Sequence, residues 1–210
     1  HHLPRLAKGE EGLTCDILPK AFAIINPKQD ECKYPDKNLC GAGLAFKLVQ
    51  ALVKKYGEYW KINEGWEKWL LDMTGLATLA DQVPLLGENR VLAYYGIKVL
   101  QKGRRPGLVE LFRKAEVEVT RLTEEDITFT LAPRLNAASR MDDPMRAFEV
   151  LATTDPIQAR ALADHLAKIN GERKLTVAHI MKEVKKTLSK REERSLIVIG
   201  NPSWRVGVLD

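Results

Sequence analysis

Three side chains able to hold an anion lie close together in the segment Thr130–Pro144. They are Arg134, Asn136 and Arg140, and small residues separate them. A planar guanidinium matches the oxygens of a phosphate group, and alanines allow a backbone to approach closely. The alternating run Ile127–Leu131 just before them predicts a short, half-buried strand. The segment is interpreted either as an anion-binding loop or as a polar loop with solvated arginines.

Asp81 is a second candidate for chemistry because of its place at the end of a predicted helix. Apolar residues recur at helical spacing through residues 64–80. Asp81 follows directly, and Pro84 comes three residues later. A carboxylate there faces the negative end of the helix dipole and therefore needs solvent or a cation. Two interpretations stay open, a solvated aspartate and a metal ligand.

The remaining periodicity predicts an α/β chain. Two apolar runs, Ala21–Ile25 and Ser195–Gly200, are typical of buried strands in a parallel sheet. Helical spacing predicts helices over residues 39–56, 64–80, 88–101, 106–114, 145–151 and 156–188. In the second of these helices, Trp66 and Trp69 lie on the apolar face, so we expect core positions for them rather than a platform for stacking bases.

Composition limits the class of protein. The 210 residues carry a net charge of +5, a mild excess compatible with a polyanionic partner. No apolar run is long enough to cross a membrane, and the first residues lack the layout of a signal peptide. The cysteines Cys15, Cys32 and Cys40 are odd in number and show no C-x-x-C spacing. They predict reduced thiols in a cytoplasmic protein.

Several motifs occur in an order found in one family. They are His1–Pro4, Ala23–Pro27, Leu39–Phe46, Asp72–Leu85 with Glu88–Arg90, Pro133–Arg140, Asn170–Arg173 and Trp204–Val208. With these motifs the chain resembles the RecJ-type single-strand-specific exonucleases of the DHH phosphoesterase superfamily. It departs from the family pattern at Ala77, Ser139, Arg205 and Asp210.

The resemblance implies two domains, with a boundary where the character of the sequence changes near residues 115–123. Residues 1–118 would be the C-terminal part of the DHH catalytic domain, a parallel sheet with helices. Residues 119–210 would begin the DHH-associated substrate-binding α/β domain. The upstream acidic motifs of the family are not in these residues, so the 210 residues alone are expected to be inactive.

The resemblance also implies a metal-dependent mechanism. In the superfamily, two divalent ions, manganese or magnesium, bind a cluster of aspartates and histidines and promote in-line displacement at phosphorus. His1 and Asp81 would be metal ligands, and His2 would lie at the scissile phosphate. Arg134, Asn136 and Arg140 would hold the single strand in a cleft. His1 and His2 could instead remain from a purification tag, but the matching Leu3 and Pro4 favour the motif.

The function implied is 5′-to-3′ exonuclease action on single-stranded DNA in repair or recombination. Single-stranded DNA is the expected partner, with a single-strand-binding protein or a helicase as further candidates and no membrane. Two alternatives stay open. One is a DHH phosphodiesterase of short oligonucleotides or cyclic dinucleotides, and the other is a non-catalytic nucleic-acid-binding scaffold. The length of residues 40–130 favours the exonuclease over the phosphodiesterase.

Overall fold

The chain divides into two compact units. A computed structural model describes residues 2, 4–8, 14–189 and 196–208. The first unit comprises His1–Lys102 and Leu122–Ile127, and the second comprises Gly103–Arg121 and Thr128–Asp210. This division falls after residue 102, whereas the predicted domain boundary is at 118. The assignment of the two functional domains stays a prediction.

The first unit is mainly helical. Two short strands, β1 (Arg5–Lys8) and β2 (Thr14–Ile17), pair antiparallel. After a long loop come α1 (Gly41–Tyr56), a 3₁₀ helix (Trp66–Leu70), α2 (Leu71–Ala80) and α3 (Gly87–Leu100). The core joins Leu39, Phe46 and Leu92, so it ties the start of α1 to α3.

A buried cysteine fixes the start of α1. The Cys40 side chain accepts a hydrogen bond from the Gly43 amide at 3.4 Å, which satisfies one of the open amides of the first turn. Its sulfur also lies 3.6 Å from Thr78 Oγ1 on α2. Both Cys32 and Cys40 are free thiols, as the sequence predicts for them, and the side chain of Cys15 lies outside the described residues.

Helices α2 and α3 approach each other at two glycines. A Cβ added at Gly96 would lie 2.5 Å from Gly75 Cα and 2.8 Å from the Leu71 carbonyl oxygen. Neither position therefore has room for a side chain unless the backbones separate. This contact fixes α2, and with it Asp81 at the end of α2, against α3.

The second unit is a helical assembly around one long helix. Its elements are α4 (Pro106–Lys114), a 3₁₀ turn (Val119–Arg121), α5 (Ala132–Met141), α6 (Met145–Ala152), α7 (Pro156–Leu188) and a 3₁₀ turn (Val206–Val208). Asp155 caps α7 by accepting from the Ile157 amide at 2.8 Å, and Pro156 occupies the first turn. The prediction of a helix over 156–188 is confirmed.

Helix α7 carries most of the contacts in this unit. Its first half buries an apolar face that includes Leu162, Leu166 and Ile169, and α4, α5 and α6 all pack against the helix. Two polar contacts add to this packing. Lys114 of α4 forms an ion pair with Asp164 of α7, and His165 Nε2 of α7 lies 2.7 Å from Oδ2 of Asp142, the residue that follows α5.

The strand predictions differ from the structure. Ile127–Leu131 belongs to a π-helix (Asp126–Leu131) that continues into α5, so the expected strand and the loop after it are both wrong. Ala21–Ile25 and the described part of the other run, Leu196–Gly200, lie outside any strand. A strand needs a hydrogen-bonded neighbour, and within the described residues only β1 and β2 form a ladder. The predicted parallel sheet is therefore not confirmed.

The exposure of the two tryptophans in the 3₁₀ helix also differs from the prediction of core positions. Trp66 is 48% exposed and Trp69 is 42% exposed, so neither is a core residue. The buried side of α2 is instead formed by small and polar residues together with Leu76 and Leu79. Among the described helices, none has an apolar stretch that would span a lipid bilayer.

Candidate functional site

The two histidines of the first motif are only partly described. His1 lies outside the described residues, so its predicted roles as catalytic residue and metal ligand stay predictions. His2 is exposed, and its backbone carbonyl accepts a hydrogen bond from Asn26 Nδ2 at 2.9 Å. This bond joins the first motif to the second one, Ala23–Pro27, within the same unit.

Asp81 lies directly after the last residue of α2, as the sequence predicts. Its amide donates to the Ala77 carbonyl at 2.9 Å, and Gln82 next to it has a positive φ of 52° that turns the chain away from the helix. The carboxylate is exposed at the negative end of the helix. This geometry is compatible with both interpretations of Asp81, solvation and metal binding.

The described residues do not by themselves make a metal centre. Carboxylate and imidazole are suitable donors for manganese, and His2 and Asp81 offer one of each. However, no group of three or more histidines, cysteines, aspartates or glutamates that could hold an ion occurs among the described residues. The metal-binding role of His1 and Asp81 therefore stays a prediction.

A three-residue network that local sequence patterns do not reveal joins the loop before α1, α1 itself and the start of α3. Tyr34 donates its hydroxyl to Glu88 Oε2 at 2.5 Å, and Lys47 Nζ lies 2.7 Å from Glu88 Oε1. Burial alone would raise the pKa of Glu88, but the hydrogen bonds from Lys47 and Tyr34 outweigh it and lower the pKa. Burial and the bond to Glu88 raise the pKa of Tyr34.

The lowered pKa of Glu88 makes unfolding pH-dependent. Above the ordinary carboxyl value of 4.5, the folded protein gains the full stabilisation of the ionised network, and it loses this gain as the pH falls through the lowered folded-state pKa. A Glu88→Gln variant is therefore expected to be less stable than the wild type at neutral pH, and the difference should shrink below pH 4.5. Urea unfolding at a series of pH values measures it. A constant difference, or the same trend in Glu124→Gln, would contradict the assignment.

Asn89 connects the turn after Asp81 to the loop before α1. It is buried, and its Nδ2 donates to the backbone oxygens of Asn38 at 3.1 Å and Pro84 at 3.2 Å. Glu88 and Asn89 are adjacent, so two consecutive side chains at the start of α3 hold the loop of residues 34–38. The motif residues around Asp81 thus have a positioning role in this structure.

The predicted nucleic-acid contacts Arg134, Asn136 and Arg140 lie on α5, not on a loop. With 100° of rotation per residue, Asn136 and Arg140 are separated by about 40° and share a side of the helix. Arg134 is about 200° from Asn136 and lies on a different side. The helix therefore brings together two of the three predicted residues and separates the third.

Each arginine is tethered by a backbone carbonyl. Arg134 Nη1 donates to the Thr130 oxygen at 2.6 Å, and burial lowers the pKa of its guanidinium. Arg140 Nη1 donates to the Gly207 oxygen at 3.3 Å. Gly207 lies against the backbone of Arg140, since an added Cβ would be 3.0 Å from the Arg140 oxygen. Both side chains are therefore held in place before any ligand binds.

Ser139, where the chain departs from the family pattern, lies within helix α5. Its hydroxyl donates to the Asn136 carbonyl at 3.0 Å, as exposed serines in helices commonly do. Ser139 lies next to Asn136 and Arg140 on the helix surface, so an exposed hydroxyl adjoins the pair. A tight glycine turn is not required at this position.

The chain is similar to several proteins named as nucleases. It is 35% identical to the single-stranded-DNA-specific exonuclease RecJ of Escherichia coli over 100% of this chain and 36% of that protein. It is also 35% identical to RecJ of Bacillus subtilis over 91% of this chain and 23% of that protein. No family model matches the chain.

A solved structure supports the same relationship. The crystal structure of RecJ from Thermus thermophilus in complex with Mn²⁺ matches with a TM-score of 0.71 and 28% identity, over 86% of this chain and 26% of that one. The chain thus has a RecJ-like fold and spans about a third or less of the length of these relatives. By sequence and by structure, the chain is a homologue of the RecJ single-stranded-DNA-specific exonucleases and corresponds to part of their length.

Proposed function

We propose that this chain is part of a metal-dependent exonuclease that hydrolyses phosphodiester bonds of single-stranded DNA in the 5′-to-3′ direction. The observation that carries the proposal is the 35% identity to RecJ across the whole of this chain. The intact protein would act in the cytoplasm in repair or recombination, with a single-strand-binding protein or a helicase as partner.

In this proposal the ions are manganese or magnesium, held by His1 and Asp81 together with ligands from outside the described residues. When bound, the metals would activate water and stabilise the leaving oxygen. His2 would lie at the scissile phosphate. Support comes from the fixed position of Asp81, since the close approach of Gly75 and Gly96 fixes the helix that carries it.

Arg134, Asn136 and Arg140 would bind the single strand through its phosphates. Asn136 and Arg140 are the stronger pair, because they share one side of α5 and Ser139 adds a hydroxyl there. Arg134 would contact the strand from another side of the helix. Contacts of this kind position a strand without reading its sequence.

The parallel sheet belongs to the same proposal. Phe22 and Ile25 in the first apolar run, and Leu196 and Val198 in the second, are exposed in this structure. Exposed apolar runs are typical of strands that pair with neighbours in a larger assembly. We propose that both runs are strands of parallel sheets in the intact protein.

Binding of single-stranded DNA is expected to weaken with salt. Each phosphate contact on a single strand contributes about −0.7 to the slope of log K against log salt. In the intact protein, Arg140→Ala should make the slope less steep by about 0.7. Fluorescence anisotropy of a labelled oligonucleotide measures it. Arg146→Ala serves as the matched control, because Arg146 is a half-exposed arginine paired with Glu149 at 3.0 Å. An unchanged slope in Arg140→Ala would contradict the contact.

A further inference from the structure

Five exposed aromatic side chains occur within residues 56–69, from the last residue of α1 to the 3₁₀ helix. This group, the aromatic cluster, consists of Tyr56, Tyr59, Trp60, Trp66 and Trp69. Their exposed fractions range from 38% for Tyr56 to 84% for Tyr59. Three of the four tryptophans of the chain belong to it. Large exposed apolar groups of this kind mark surfaces that bind something.

Local backbone structure holds the rings of the aromatic cluster. Tyr56 and Trp60 have ring centroids 5.2 Å apart with planes inclined by 36°. The Trp60 amide donates to the Tyr56 carbonyl at 2.9 Å, which continues the helical hydrogen bonding beyond α1. Trp66 and Trp69 are three residues apart on a 3₁₀ helix, so they lie on the same side of it. Ring contact therefore joins Tyr56 and Trp60, and the 3₁₀ helix places Trp66 and Trp69 on one side.

Four lysines occur among these aromatic residues in the sequence. Lys55 Nζ lies 5.0 Å from the centroid of the Tyr56 ring. Residues 54–69 contain four lysines and three glutamates, namely Lys54, Lys55, Lys61, Lys68, Glu58, Glu64 and Glu67. The segment thus has only one net positive charge, so phosphate attraction contributes little. A ligand must be bound mainly through contact with ring faces.

We propose that the aromatic cluster is a stacking surface for the bases of single-stranded DNA. Unpaired bases offer ring faces that a duplex hides, and aromatic side chains interleaved with cations are typical of single-strand binding. Binding then comes mainly from the ring faces, and the small net positive charge of residues 54–69 does not oppose the strand. The inference rests on the proposed function and adds to it a binding surface separate in sequence from Arg134, Asn136 and Arg140.

The test uses the intact protein and a fluorescent oligothymidine, with binding measured by anisotropy. Replacing both tryptophans in a Trp60→Ala, Trp66→Ala variant is expected to weaken binding about tenfold or more, since stacking of each base contributes substantially. A Trp60→Phe, Trp66→Phe variant keeps aromatic faces and should retain most of the affinity. Phe148→Ala is the matched control, because Phe148 is 60% exposed and lies outside the cluster.

Two further measurements separate stacking from charge. An abasic oligomer of the same length has the phosphates without the bases, so its affinity should be the same for the wild type and the alanine variant. Photo-cross-linking with an iodouracil-substituted strand should label residues 56–69. Thermal melting checks that the variants fold. If the alanine variant does not fold, cross-linking of the wild type decides, and no labelling of residues 56–69 would contradict the inference.

Two results would overturn the inference: equal oligothymidine binding by wild type and alanine variant, or equal weakening in Phe148→Ala. Binding of an apolar peptide instead of the strand would overturn it too, and would indicate a protein partner. Failure of the proposed function looks different, because the wild-type intact protein would then neither bind nor hydrolyse single-stranded DNA. An active wild type with an unaffected alanine variant refutes the stacking surface alone.

Discussion

An Asp81→Asn variant of the intact protein is expected to lose manganese-dependent hydrolysis of single-stranded DNA by more than about 100-fold. Outer-sphere partners of a metal already cost about 10- to 100-fold when removed, and a direct ligand should cost more. Binding of the strand should persist, because the predicted phosphate contacts lie on α5. Product release with manganese measures the first quantity, and oligonucleotide anisotropy without metal measures the second.

The control for this variant is Glu124→Gln, which neutralises another exposed carboxylate of the first unit. It should hydrolyse DNA normally. Because Asp81 is exposed after the end of α2, the asparagine variant should melt at nearly the wild-type temperature. Normal turnover by Asp81→Asn would refute its assignment as a ligand and would leave a solvated aspartate as the correct interpretation.

A Gly96→Ala variant is expected to destabilise the first unit by about 1–3 kcal/mol, the usual cost of overpacking. The added methyl group would lie 2.5 Å from Gly75 Cα and 2.8 Å from the Leu71 oxygen, and backbone atoms cannot rotate away as a side chain can. The helices must therefore separate, which also displaces Asp81. Urea unfolding measures the stability, and manganese-dependent turnover reports the displacement.

Gly171→Ala provides the opposite case. An added Cβ at this position meets nothing within 4 Å, so only the higher helix propensity of alanine acts. That variant is expected to be more stable than the wild type by up to about 1 kcal/mol. Equal stability of Gly96→Ala and wild type would show that α2 and α3 can move apart without cost.

The sequence allowed the helix boundaries to be predicted where local chemistry determines them. Gly57 follows α1, Pro106 begins α4, and Asp155 with Pro156 begins α7. Proline restricts the backbone and Asp155 supplies a cap without help from distant parts of the chain, whereas Gly57 follows α1 with an ordinary helical φ of −58°. The prediction therefore needed no knowledge of tertiary packing.

The alternating run before α5 shows why the strand prediction failed. In a strand, Ile127, Phe129 and Leu131 would share one face, but in the structure Ile127 and Leu131 are fully buried while Phe129 is 71% exposed. Residues four apart also share a face of a helix, so a five-residue pattern fits both structures. Only packing decides between them, and Pro133 near the start of α5 was compatible with a helix all along.

The roles of the candidate site residues stay predictions, and their arrangement could not be derived from local sequence patterns. Lys47 and Glu88 form an ion pair across 41 positions, which no local pattern reveals. The separation of Arg134 from Asn136 and Arg140 follows directly from α5 being a helix, so the wrong strand-and-loop prediction gave no basis for expecting it. The exposure of Trp66 and Trp69 depends on which side of the 3₁₀ helix meets α1 and α2, and periodicity alone does not determine that.

The buried residues of helix α7 are distributed unevenly along its 33 residues. Most of its buried residues precede Gly171, whereas the second half buries Ile180. That half is held by the Trp204 indole, which donates to Glu183 at 2.7 Å. Amide hydrogens in the first half should therefore exchange with solvent only when the whole unit unfolds. Those in the last turns exchange through local opening, at a rate set by residues 201–208.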